Sequence, residues 1–362
     1  MKRMLAILLL SACTGGTPDP LADKTIVIDP GHGGTAEYDQ YRVGPAGERE
    51  EWVNLRVALL LRDKLEARGA RVLLTRTEDV EVALDVRARL AVENDADAFV
   101  SVHHNATADP DVNFPIVYYH ANASENSASV ELAKAMGRRI NEYLFDDNAP
   151  VSVVSDHAIF PTAGASVLRN SYGFPGVIVE ASFFTHPEEE QRLMDPEYNR
   201  MEANAYVRAF EDFFSEGHPP PVERYSTIRL PVFPVLQEAD RMDPAALLWR
   251  EDFKKGLALL AEISQPGKQA DDPEVPEMKK PEYPAHATGD PETTNLVKDN
   301  LEEALKLFER SARSFPDSWL AGRAHAARAE IMELLGEKEK ADTIRMRVKE
   351  FYVWPDTDII QD

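Results

Sequence analysis

The chain has a single cysteine, Cys13, among its 362 residues. One cysteine excludes an internal disulfide bond and any structural zinc site built from several cysteines. Basic residues are also scarce: 40 lysines and arginines stand against 63 aspartates and glutamates, which gives a net charge of −23. Because nucleic-acid binding needs a basic surface to meet the phosphates, this charge balance argues against nucleic acid as a partner.

Long apolar runs are lacking as well, since the N-terminal apolar stretch over residues 4–10 is too short to cross a bilayer as a helix. A basic start precedes this stretch and small residues follow it, which is typical of a secretory signal. Leu10-Ser11-Ala12-Cys13 also resembles the lipobox of bacterial lipoproteins, whose cysteine carries lipid after cleavage. We therefore expect a signal peptide over residues 1–12, a lipid at Cys13 and a tether over residues 13–23. An ordinary signal peptide with an incidental cysteine is the alternative.

Apolar strand-like runs alternate with amphipathic helical stretches from residue 24 to residue 216. This alternation predicts an α/β domain with a twisted, largely parallel sheet flanked by helices. The expected strands are residues 25–29, 72–75, 98–102, 116–119 and 176–180, and the expected helices are residues 52–68, 82–92, 129–144 and 188–214.

The amino-acid composition of the chain changes after this domain. Residues 217–243 are expected to be a proline-rich linker, and residues 244–362 a separate, smaller, all-helical domain with a disordered segment over 265–294. Alanine and phenylalanine positions recur at a spacing close to the roughly 34-residue period of tetratricopeptide repeats. An ordinary helical hairpin is the alternative. We expect this region to bind a protein partner, and truncation after about residue 216 to leave a folded, active domain.

Candidate catalytic and metal-binding residues lie where the expected strands end. His32 follows the first strand, His103 follows the third, and Glu180 closes the strand over residues 176–180. Functional crevices of open α/β sheets form at the carboxyl ends of the strands. Glu50 begins a helix after a glycine-rich loop and is expected at the same edge. Two histidines and one glutamate with an open fourth position form a catalytic zinc set.

Six short strings, in order along residues 24–215, resemble the zinc-dependent N-acetylmuramoyl-L-alanine amidases called amidase type 3. The strings are Asp29-Pro30-Gly31-His32-Gly33-Gly34; Gly44, Gly47, Glu50, Asn54 and Leu55; Leu74-Thr75-Arg76 with Asp79, Leu84 and Arg87; Ser101-Val102-His103-His104-Asn105-Ala106; Val167-Leu168-Arg169; and Glu180 with Phe183, Thr185, His186 and Pro187.

The resemblance implies a Zn²⁺ ion held by His32, Glu50 and His103. It also implies that Glu180 is the general base for the attacking water and then the acid for the leaving amine. A structural carboxylate paired with Arg169 is the alternative for Glu180. The implied substrate is peptidoglycan, cut at the amide bond between N-acetylmuramic acid and the L-alanine of the stem peptide.

Two positions depart from the family pattern. Glu51 stands where the family usually has lysine, and His186 where it usually has asparagine. Since neither is a ligand or acid–base position, we expect both to bear on substrate contacts. His104 neighbours a ligand on a strand and should face the opposite way.

Two other functions stay open at this point. The chain could be a zinc hydrolase of another cell-wall peptide bond, or a catalytically silent wall-binding lipoprotein scaffold. The retained Glu180 and ligand set argue against the silent scaffold. The expected location is extracytoplasmic, anchored to a membrane through lipid on Cys13, on the periplasmic face of the outer membrane because Thr14 is not aspartate.

Overall fold

The computed structural model describes residues 18–171, 173–221, 230–236, 241–243, 247–264 and 291–353, the last without the side chains of residues 291–294. The predicted signal peptide, Cys13 and most of the predicted disordered segment lie outside these residues. The end of that segment, from Pro291, begins a helix. No helix in the described part of the chain is long and apolar enough to cross a membrane.

The centre of the molecule is a seven-stranded sheet with the order β2-β1-β3-β6-β4-β5-β7. Four of its six strand pairings are parallel, and β4 reverses the direction by pairing antiparallel with β6. The predicted α/β class is therefore confirmed, with a mixed sheet. The strands are β1 Thr25–Pro30, β2 Arg71–Leu74, β3 Ala98–Asn105, β4 Ile116–Tyr119, β5 Ser152–Ser155, β6 Gly176–Phe183 and β7 Tyr352–Val353.

Ten α-helices surround this sheet within the described residues. The stretch predicted as one helix over residues 188–214 is two helices, because Pro196 opens a new helix whose cap is the Asp195 carboxylate. The helices are α1 Glu50–Glu66, α2 Leu84–Glu93, α3 Ser127–Phe145, α4 Ser166–Asn170, α5 Pro187–Leu193, α6 Pro196–Glu216, α7 Trp249–Ser264, α8 Pro291–Ser314, α9 Ala321–Leu334 and α10 Lys338–Phe351.

Alternate residues of each strand supply two cores, one on each face of the sheet. Val100 and Val102 of β3 face one core, which is closed by α1, α3 and α6. Phe99 of β3 and Ile178 of β6 face the other core, which contains residues of α2, α4 and the C-terminal helices.

The expected all-helical C-terminal region packs directly on the sheet. Phe315, just after α8, lies 5.9 Å from Phe114 and 6.2 Å from Phe183 between ring centroids, in the same core as the sheet. β7 also extends the sheet by pairing antiparallel with β5. The amphipathic pattern predicts the C-terminal helices, but it does not show that their apolar faces cover β4 and β6. The repeat-like arrangement stays a prediction.

Candidate active site

Three side chains converge at the edge of the sheet where β1 and β3 end. His32 lies just beyond β1, Glu50 is the first residue of α1, and His103 lies near the end of β3. One ligand atom from each lies within 4.8 Å of the others. Glu50 sits between the rings, with Oε2 3.1 Å from His32 Nε2 and Oε1 2.9 Å from His103 Nδ1. The structure thus brings together the three residues predicted as ligands.

The loop after β1 is shaped to bring His32 against His103. A β-carbon at Gly31 would lie 2.2–2.6 Å from atoms of the His103 ring, so any larger residue at position 31 would clash with that ring. His32 itself has a φ of 56°, in the left-handed region that non-glycine residues rarely adopt. Such local strain is typical of functional sites and places one imidazole edge-on to the other.

The protonation states of this cluster suit a cation. Burial lowers the pKa of His32, which keeps its ring neutral. Burial alone would raise the pKa of Glu50, but the adjacent His32 and His103 rings outweigh it and hold the pKa well below its usual range. A neutral imidazole and an ionised carboxylate are the forms in which these side chains bind metal.

Ser101 and Asp29 set the orientation of His103. The Ser101 hydroxyl donates to Asp29 Oδ2 at 2.7 Å, so it can accept only from a protonated His103 Nε2, which lies 3.1 Å away. That tautomer leaves Nδ1, the atom facing Glu50, with a free electron pair for a metal. Both residues lie in the strings that resemble the family, yet the strings alone did not indicate this role.

Asn54 holds Glu50 from the other side. Its amide nitrogen donates to Glu50 Oε1 at 3.2 Å, and its oxygen faces His104 Nδ1 at 2.9 Å. His104 is buried and its Nε2 lies 3.2 Å from Glu202 of α6. The prediction that His104 faces away from the ligand set is confirmed. Glu202 carried no sequence signal, because its partner lies 98 positions away in the chain.

Arg42 lies at the mouth of the cluster. Its Nε donates to His32 Nε2 at 3.2 Å and lies 3.7 Å from Glu50 Oε2, while Nη1 pairs with Asp39. Sequence reasoning missed this residue, since a loop arginine ten positions from His32 has no periodic pattern to mark it. It places a positive charge beside the cluster, where anionic groups of a substrate can approach.

Glu180 lies beside the ligand set on the neighbouring strand. In the register of β3 and β6 it pairs with His103, so both side chains project from the same face of the sheet. Its side chain is partly exposed. Arg169, the alternative partner for Glu180, donates through Nη1 to the carbonyls of Ala163 and Gly164 at 2.8 and 3.0 Å.

The two departures from the family pattern have structural roles, and their expected bearing on substrate contacts stays a prediction. Glu51 is buried and accepts from Arg49 Nε at 2.6 Å. His186 caps α5, since its Nδ1 accepts from the backbone N–H of Glu189 at 3.2 Å. Both positions stabilise loops beside the site, which a one-dimensional pattern cannot distinguish from substrate contacts.

Comparison with known families identifies the fold around this cluster. The profile of the N-acetylmuramoyl-L-alanine amidase family called Amidase_3 matches residues 26–212, which include the three clustered residues and Glu180. The chain belongs to this family. It is an amidase of the N-acetylmuramoyl-L-alanine type, as the sequence predicts. The match ends before α7, so the C-terminal helices lie outside it.

Curated relatives carry the same enzyme name. The germination-specific N-acetylmuramoyl-L-alanine amidase of Bacillus subtilis is 27% identical over 218 residues, covering 56% of this chain and 84% of the relative. The amidase AmiA of Escherichia coli is 27% identical over 251 residues, covering 59% and 86%. Among solved structures, the amidase AmiC2 of Nostoc punctiforme is 30% identical, with a TM-score of 0.46 over 53% of this chain and 97% of that one.

Proposed function

We propose that this amidase is a zinc-dependent peptidoglycan hydrolase that cuts the bond between N-acetylmuramic acid and L-alanine. The observation that carries the proposal is the convergence of His32, Glu50 and His103 within 4.8 Å, next to the cross-strand neighbour Glu180. Peptidoglycan as substrate agrees with the family, while the zinc ion and the residue roles are our inference from the donor set.

The residues present fit a catalytic zinc ion. Two imidazole nitrogen donors and one carboxylate leave a coordination position open, and Gly31 leaves the space for this packing. Zinc bound there supplies Lewis acidity and lowers the pKa of a water molecule. Ser101 and Asn54 then serve as orienting groups, because they hold His103 and Glu50 in the geometry described above.

Glu180 moves the proton in this proposal. Its carboxylate takes a proton from the attacking water as the new carbon–oxygen bond forms at the lactyl carbonyl. It then gives that proton to the nitrogen of L-alanine as the carbon–nitrogen bond breaks. The products are a lactyl-terminated glycan and a free stem peptide, and Glu180 returns to its ionised form.

Digestion of purified sacculi, followed by mass analysis, tests the function. We expect intact stem peptides and unbroken glycan strands, with activity lost on chelation and restored by Zn²⁺. Fragments cut inside the stem peptide would point to the alternative hydrolase. Intact sacculi after incubation with zinc-loaded protein would point to the silent scaffold.

We also propose an extracytoplasmic location with a lipid anchor at Cys13, which the lipobox-like string supports. One lipid-modified cysteine attaches a folded domain to a membrane without a spanning helix. Cells fed radiolabelled fatty acid should label the wild-type protein and not Cys13→Ser, and wild-type protein should fractionate with outer membranes. Label present in Cys13→Ser would place any lipid elsewhere.

A further inference from the structure

A second cluster of two histidines and one carboxylate lies outside the proposed active site. It consists of His120, Asp156 and His157, each at most 2% exposed. One ligand atom from each lies within 4.8 Å of the others, the same limit that the proposed catalytic set meets. Nothing in the family resemblance or in the proposed hydrolysis uses these residues.

This cluster lies at the opposite edge of the sheet from His32 and His103. His120 directly follows β4, and Asp156 and His157 directly follow β5. β4 and β5 are parallel to each other, whereas β4 is antiparallel to β6. Their carboxyl ends therefore meet at the edge where β3 and β6 begin, and the two clusters are separated by the length of the strands.

The two oxygens of Asp156 have different surroundings. Oδ2 accepts from the backbone N–H of Ala165 at 2.7 Å and lies 2.8 Å from His120 Nδ1. Oδ1 is buried and receives no hydrogen bond from the described residues. It faces His157 Nε2 at 3.9 Å, which is too long for a hydrogen bond. Two ligand atoms that each lie about 2 Å from one ion can be separated by such a distance.

The charge of the cluster also calls for a cation. Within the described residues, Asp156 forms ion pairs only with His120 and His157. A buried carboxylate is costly unless a positive charge lies beside it. A bound cation or a proton on His120 would supply such a charge.

The backbone closes tightly around the carboxylate. Gly164 has a φ of +67°, and a β-carbon there would lie 2.5–2.7 Å from the atoms of the Asp156 carboxyl group. The loop before α4 therefore packs directly on Asp156.

We propose that His120, Asp156 and His157 form a second binding site for a divalent transition-metal ion, with Zn²⁺ the ion that the two imidazoles and one carboxylate suit. The ion joins the ends of β4 and β5 to the loop before α4, and its role is structural because all three side chains are buried. The rival is a buried ion pair between protonated His120 and Asp156, without metal.

Metal analysis of the full chain distinguishes the proposed metal site from the metal-free ion pair. Protein produced in zinc-supplemented medium and purified without chelator should contain two zinc equivalents. Brief chelation should remove one, since the His32 and His103 side chains are 24% and 15% exposed, and leave the buried one. The His32→Ala, His103→Ala double variant should retain one equivalent. Asp156→Asn, which keeps an oxygen for the Ala165 N–H, should retain only the removable equivalent.

Asp212→Asn, a carboxylate variant on α6 outside both clusters, is the matched control and should keep two equivalents. A single equivalent in wild type that disappears in the double variant would overturn the proposal and favour the His120 ion pair. The zinc content of the wild type and of the double variant tests the proposal even if Asp156→Asn does not fold. Two equivalents that persist in the double variant would instead contradict the proposed catalytic site.

Discussion

Single side chains decide whether the edge formed by β3 and β6 can carry out hydrolysis. His103 and Glu180 are neighbours across two strands, but His103 contacts Glu50 while Glu180 is partly exposed. We propose that His103, which Ser101 and Glu50 hold in place, is the zinc ligand and that Glu180 is the proton carrier.

Glu180→Gln should keep zinc and the fold but lower turnover on the order of 10²-fold or more, because the amide cannot accept a proton from water. The measurement is the rate of stem-peptide release from sacculi at equal zinc content. Glu188→Gln, an exposed carboxylate in the first turn of α5, is the control and should be unaffected. Near-normal release by zinc-loaded Glu180→Gln would assign the proton transfer to another group.

Ser101→Ala should weaken zinc binding by about 10- to 100-fold, because His103 then loses the acceptor that fixes its tautomer. Competition with a zinc-binding dye measures the affinity. Ser182→Ala, which alters a buried serine on β6, should leave it unchanged. An affinity equal to wild type in Ser101→Ala would show that the Ser101 contact does not orient the ring.

At the level of elements, α2 is joined to the end of β1 by a buried ion pair. Arg87 Nη1 lies 2.8 Å from Asp29 Oδ1, and Arg87 also donates to the carbonyl of His32 at 2.6 Å. Burial would raise the pKa of Asp29, but Arg87 and the hydroxyls of Thr75 and Ser101 outweigh it, so the pKa is lowered. The pair thus fixes the loop that carries His32.

Arg87→Ala should lower the free energy of unfolding by about 3–5 kcal/mol at neutral pH, since it leaves a buried carboxylate without its counter-charge. Denaturant unfolding measures the change, and Arg89→Ala, exposed on the same helix, is the control.

The pH dependence follows from the lowered pKa of Asp29. In wild type the contribution is complete above the ordinary aspartate pKa and is lost as the pH falls through the lowered value. In Arg87→Ala the pKa of Asp29 should rise, so the difference in the free energy of unfolding between wild type and variant should shrink as the pH falls through the lowered wild-type value. An unchanged acid profile would mean that Asp29 is not held ionised by Arg87.

At the scale of the whole molecule, the C-terminal helices complete the core of the amidase. Tyr118 of β4 donates to Asp317, and Asp317 pairs with Arg241, all three buried. Arg241 Nη1 also lies 3.4 Å from Asn105, two residues beyond His103. The C-terminal region therefore contacts the strand that carries a proposed ligand, and its predicted protein partner would bind a part of the catalytic unit.

Phe315→Ala should destabilise the protein by about 3–5 kcal/mol, as expected when a buried aromatic ring is removed. Because the core is shared, tryptophan fluorescence of Trp249 and Trp319 and loss of amidase activity should follow one transition. Met346→Ala, half exposed on α10, is the control. Two separate transitions would indicate that the two regions unfold as independent domains.

Truncation after Glu216 should leave an aggregating protein, in contrast to the folded, active domain expected from the sequence. The cut removes the cover from Phe114, Tyr118 and Phe183, and a contiguous apolar face of that kind is not stable in water. Solubility and circular dichroism measure the outcome. A soluble, zinc-binding and active truncated protein would show that the shared core is dispensable.

The α/β class, the identity of the three clustered residues and the position of most helices follow from the amino-acid sequence. These features depend on local periodicity and on short strings that keep ligand-type residues at the ends of strands. The sequence pattern did not predict β5 and β7, because strands of four and two residues are too short to show alternation of apolar and polar residues.

The positions of the C-terminal helices and the partners that orient the proposed ligands depend on long-range packing. The contacts of His104 with Glu202 and of Tyr118 with Asp317 join residues 98 and 199 positions apart. An amphipathic helix shows in its sequence that one face must be buried, but not against which surface. Tertiary packing determines that surface, and it places the helices beyond residue 216 in one core with the sheet.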